Sequence, residues 1–99
     1  AGDAGRGGGV PEALMPALGA ELRRLLDGLA QALAEGETER AWDLAHQLSG
    51  LAGIYRLGPL SVSARRLESC CRDGRLDEAG KVLAELERQA RLAGFAAAG

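Results

Sequence analysis

Nucleophilic chemistry in this 99-residue chain can be built on a single histidine, His46. Imidazole loses its proton near neutrality and its free nitrogen is then a nucleophile able to form a covalent intermediate. Its direction on the helix decides whether that nitrogen is accessible. At about 100° per residue, Ala41, Leu44, Ala45, Leu48, Leu51, Ala52 and Tyr55 fall within an arc of roughly 120°, the expected core face, and His46 lies about 160° from its centre. His46 is therefore expected in water. Ser49, Gly50 and Gly53 follow it on nearby azimuths of the same surface. A glycine inside a helix costs roughly 1 kcal/mol against alanine, so two of them need a reason: close approach of a partner to the backbone beside His46, or packing against another helix. Asp43 is spaced to accept a hydrogen bond from the imidazole or to stand as a solvated charge. Trp42, one turn before His46, borders the same surface or shields a helix junction.

Other chemistries lack their residues. One histidine, apart from any thiol pair, cannot complete a zinc site. No Gly-x-x-x-x-Gly-Lys loop is present to cradle nucleotide phosphates, and no carboxylate cluster to hold magnesium. No cofactor and no metal are expected in this chain.

The elements that must position His46 are helical. Residues 1–10, rich in glycine, read as a flexible linker, and folded structure is expected from Pro11. Leu14, Leu18, Leu22, Leu25, Leu29 and Leu33 recur at helical spacing, with room for a short extra N-terminal helix split off after Met15. Gly36 offers a stop and Thr38 an N-cap for the helix that carries His46. Leu57-Gly58-Pro59 is expected to end that helix and Pro59 to open the next, which carries Leu60, Ala64, Leu67 and Cys71. Asp73-Gly74 closes it, and Leu76, Ala79, Leu83, Leu86 and Ala90 mark a fourth helix before Gly94. Short connections make sequential helices neighbours, so the expected fold is all-α, an antiparallel up-down-up-down four-helix bundle over residues 11–94, with residues 95–99 frayed.

Composition agrees. Only three aromatics and few β-branched residues exclude an all-β fold. Twelve basic against fourteen acidic side chains, with no block of like charge, leave no electrostatic footprint for nucleic acid or an anionic membrane, so protein partners are expected. Cys70 and Cys71 are adjacent, too close for ordinary disulfide geometry, and read as reduced thiols of a cytoplasmic protein.

His46-Gln47-Leu48-Ser49-Gly50-Leu51-Ala52-Gly53, followed by Ala64-Arg65-Arg66-Leu67-Glu68, resembles the histidine phosphotransfer (HPt) domain of bacterial phosphorelays. That family's pattern is His-x-Leu-Lys-Gly with small residues after it and a Leu-Glu pair on the next helix, here Leu67-Glu68. The likeness runs over residues 11–93, and it implies a phosphoryl carrier without kinase activity of its own. His46 would accept the group from an aspartyl-phosphate of a receiver domain and pass it to another receiver. The partner would supply the aspartate and Mg2+. The segment would serve as a stand-alone carrier or as the C-terminal domain of a hybrid sensor kinase, at the cytoplasmic end of a membrane-anchored chain. Two positions depart from the pattern: Ser49 replaces the family's lysine, and Arg56 its glycine ten residues after the histidine. Arg65 and Arg66 are candidates to face the phosphoryl group in the lysine's place, or else pair with acids. A phosphorylation-independent interaction module with the same bundle is the alternative function.

Overall fold

The structure, a computed structural model, describes residues 10–95. A one-turn 3₁₀ helix at Glu12–Leu14 leads into α1 (Met15–Ala34), followed by α2 (Thr38–Ile54), α3 (Pro59–Arg72) and α4 (Leu76–Leu92), with no strand among the described residues. Each helix packs on its predecessor, and α1 also packs on α4, closing an all-α, up-down-up-down four-helix bundle. The expected stripes build one core. Leu22, Leu25, Leu29, Leu48, Leu67, Leu86 and Cys71 are its largest fully buried side chains. Ala41, Ala45, Ala52 and Ala64 are completely covered and, being small, let α2 approach its neighbours closely. Burying a leucine is worth about 1.5–3 kcal/mol, which outweighs the propensity differences along these helices and makes the apolar stripe the determinant of their orientation.

All four helices end in one device. The residue two past each helix end adopts a left-handed conformation, and paired backbone hydrogen bonds close the last turn. At α1, Gly36 has φ +70°, Glu37 N–H donates to the Ala32 carbonyl at 2.8 Å and Gly36 N–H to that of Leu33 at 3.2 Å. Gly74 and Gly94 do the same after α3 and α4. After α2 the left-handed residue is Arg56, φ +52°, with Leu57 N–H on Ala52 and Arg56 N–H on Gly53. The departure from the family's glycine therefore falls on the one non-glycine with positive φ among the described residues.

Several expectations need correction. The chain turns into the left-handed region at Arg56, so α2 ends at Ile54 and not at Leu57-Gly58-Pro59. Thr38 is the first residue of α2 and not its cap; Glu37, already closing α1, occupies the cap position without a side-chain cap bond, and its carboxylate pairs with Arg40 instead. The short leading helix separates before Met15, not after it, and Pro16 sits in the first turn of α1. Val10, assigned to the linker, packs partly buried against the core. Phe95, assigned to the frayed end, is buried and lies against Gly19 of α1, because the turn at Gly94 folds it back onto the bundle. The expected linker over residues 1–9 and the fraying of residues 96–99 lie outside the described residues.

A left-handed L-residue costs about 1–2 kcal/mol, part of which glycine returns through its freer unfolded chain. Arg56→Gly should therefore stabilise the bundle by about 1 kcal/mol, raising the thermal midpoint by about 4–8 °C for a domain of this size. An unchanged or lower midpoint in thermal unfolding would mean that the Arg56 side chain stabilises the turn as much as its backbone strains it.

Candidate functional site

Leu44, Ala45 and Leu48 hold α2 to the core and so turn the intervening position outward: His46 is 63% exposed. The tight connection to α3 then sets what stands beside it. In an antiparallel hairpin, residues equidistant from the turn come level, and His46 and Glu68 each lie eleven residues from Leu57. His46 Nδ1 is 2.7 Å from Glu68 Oε2. A carboxylate offers only acceptors, so Nδ1 carries the hydrogen and donates it. The Nε2 lone pair is left as the free nucleophile. Glu68 is only 23% exposed, and the pair is a charge-assisted bond between neighbouring helices that holds the imidazole by one edge.

The ring is also held by its face. Trp42, one turn before His46 on α2, stacks on it with ring centroids 5.4 Å apart and planes inclined by 11°. Of the two sequence expectations for Trp42, a place beside the histidine surface is the observed one. At 38% exposure the indole also presents part of its surface to solvent.

On the other side of His46 the helix is bare. A Cβ built on Gly50 or Gly53 meets nothing within 4 Å, so packing against another helix does not account for either glycine. Ser49 is half-buried on the flank of α2 that faces α3. Asp43 does not reach the imidazole: it accepts from Gln47 Nε2 at 2.9 Å, and Gln47 Oε1 in turn accepts from Arg24 of α1 at 3.4 Å. Both residues belong to the flank of α2 that faces α1, and His46 turns the other way to meet Glu68. The two candidate arginines also separate. Arg66 points to α4, where it pairs with Glu78 at 3.4 Å. Arg65 lies one turn before Glu68 on α3, and the register that pairs 46 with 68 brings it level with Ser49.

The two thiols are withdrawn from solvent. Cys70 and Cys71 are free and buried in α3, and burial pushes the Cys71 thiol up to about 11. Among the described residues no group of three or more His, Cys, Asp and Glu side chains converges to hold a metal. No helix among them is long and apolar enough to cross a membrane.

Glu68 is the partner of His46 that the sequence pattern left without a role. Its signal was the equal spacing of 46 and 68 about the Leu57 turn, which becomes informative once the two helices are known to be antiparallel neighbours.

The family model of the Hpt domain matches residues 14–96, and the chain belongs to that family. No curated protein and no solved structure matched in the other two comparisons. Membership gives this bundle the role of a phosphotransfer domain of phosphorelays, a class of phosphocarrier modules whose partners are receiver domains.

Because nothing meets a side chain at positions 50 and 53, Gly50→Ala and Gly53→Ala should each raise stability by up to about 1 kcal/mol, the helix propensity that glycine forgoes. Chemical denaturation of the two variants measures this directly. Destabilisation at either position would show that its glycine serves the fold.

Proposed function

We propose that this domain takes a phosphoryl group onto His46 Nε2 from the aspartyl-phosphate of a receiver domain and returns it to the aspartate of another. One observation carries the reading: the only histidine of the chain is exposed, tied at Nδ1 to Glu68, and flanked by open helix surface at Gly50 and Gly53. In the transfer the Nε2 lone pair attacks phosphorus, the bond from phosphorus to the aspartyl oxygen breaks, and the carboxylate leaves with that electron pair. The ring, still protonated at Nδ1, becomes cationic as the N–P bond forms. Glu68 stabilises that charge at 2.7 Å, and the same contact holds the ring for the reverse step. Phosphoryl transfer depends chiefly on positioning and charge stabilisation, and in this reading the receiver brings the aspartate and Mg2+.

The open glycines let the receiver's backbone come within reach of Nε2. Ser49 supplies a hydroxyl where the family pattern has a cation, and Arg65, level with it across the α2–α3 seam, supplies the positive charge, since Arg66 is engaged by Glu78.

With receivers carrying labelled phosphate, the native protein should become labelled and His46→Gln should not. Label retained by His46→Gln would overturn the assignment, and receiver binding without labelling would favour the interaction module instead. The isolated domain should take no label from ATP. Gly50→Gln should keep the fold but slow transfer from a receiver at least about tenfold, equivalent to 1.4 kcal/mol in the transition state. It should leave labelling by phosphoramidate, a small donor needing no docking, unchanged. Equal loss with both donors would show that position 50 acts on the histidine and not on the partner.

A further inference from the structure

A single hydrogen bond at Nδ1 does not immobilise an imidazole. The ring can still turn about that bond and swing about its own side-chain torsions, and at 63% exposure the solvent does not resist this. Trp42 lies against the face of the ring. Its indole lies nearly parallel to the imidazole, 11° between planes at a centroid distance of 5.4 Å, within the range of offset aromatic stacking. A helical side chain leans toward the N-terminal turn, so the ring of His46 settles back over the turn that carries Trp42, away from the turn that carries Gly50. Indole covers one face, Glu68 grips one edge, and the bare helix at Gly50 and Gly53 opens the remaining approach. Tryptophan suits this position: it is large, it has only two side-chain torsions to order, and its face attracts the positive charge that develops on the ring.

We propose that Trp42 is a positioning residue for phosphoryl transfer, holding the His46 ring plane so that Nε2 faces the donor from the Gly50 side. The proposal rests on His46 being the phospho-acceptor, and it differs from a docking role because the indole acts on the histidine whether or not a receiver is present.

Two measurements test it on the full chain. The first is the rate of labelling by phosphoramidate and, separately, by a phosphorylated receiver. Trp42→Ala should slow both by about tenfold, the scale of a lost orientation effect on one reacting ring, and Trp42→Phe should restore both to within about threefold, since a phenyl face can still stack. Unchanged labelling of Trp42→Ala by phosphoramidate overturns the proposal, and a loss confined to the receiver reaction makes Trp42 a docking contact, which also overturns it. The second measurement is the proton spectrum of the one imidazole in the chain. The indole ring current should shift the His46 ring protons upfield in the native protein, Trp42→Ala should remove that shift, and Trp42→Phe should keep part of it. Identical histidine shifts in native protein and Trp42→Ala overturn the clamp even where labelling falls. If the native protein takes label from neither donor, the phosphocarrier reading fails by itself, and the spectrum alone then decides whether Trp42 holds the ring.

Discussion

The antiparallel register of α2 against α3 is the constraint on which the site depends. Ala45, Leu48 and Ala52 on one helix and Leu60, Ala64 and Leu67 on the other are buried along the seam, and the alanines bring the two backbones close. The left-handed turn at Arg56 and Pro59 at the start of α3 keep the connection short, so the residues equidistant from Leu57 come level. A slip of one residue along α3 would rotate Glu68 by about 100° and carry its carboxylate off the seam. The 2.7 Å contact with His46 is thus a consequence of core packing, fixed by buried leucine and alanine before any polar group contributes.

This division of labour runs through the molecule. Among the described residues no polar or charged side chain belongs to the buried core, and the described ion pairs lie on the surface, where each contributes little to stability. The outward face of α2 can therefore carry features that a core would not tolerate: a half-solvated imidazole, an indole stacked on it, and two glycines in helical conformation with open space beside them. Glycine at positions 50 and 53 works against the helix by about 1 kcal/mol each, and nothing in the packing returns that loss. Local rules broken without a structural gain concentrate at functional sites, and here they lie one and two turns from His46.

Arg56 breaks a local rule of another kind. Its positive φ belongs to a turn that glycine serves after the other three helices. The strain is confined to the backbone at the end of α2, and the turn still forms its two closing hydrogen bonds, because Leu57, partly buried, packs against the core and Ala52 beneath it is completely covered. Packing on both sides thus holds a conformation that the residue itself disfavours.

The sequence by itself determined the number of helices, their apolar stripes, the outward direction of His46 and the nearness of Trp42, Ser49, Gly50 and Gly53. All of these follow from the 3.6-residue period within one element, where spacing and azimuth are the same thing. What lies between elements was decided by the tertiary structure. Asp43, the local candidate for a partner to His46, was taken by Gln47, which Arg24 of α1 holds on the far flank of α2. Glu68, distant in sequence, took its place. Arg66 was drawn to Glu78 of α4, and Phe95 was returned to the core by the turn at Gly94. The helix ends moved for the same reason, since a cap is set by the backbone of the turn as much as by the residue type: Glu37 displaced Thr38, and Arg56 ended α2 ahead of Pro59. Periodicity specifies which way a side chain leaves its own helix, but the groups it meets there depend on register and on neighbouring helices, which only the packed core selects.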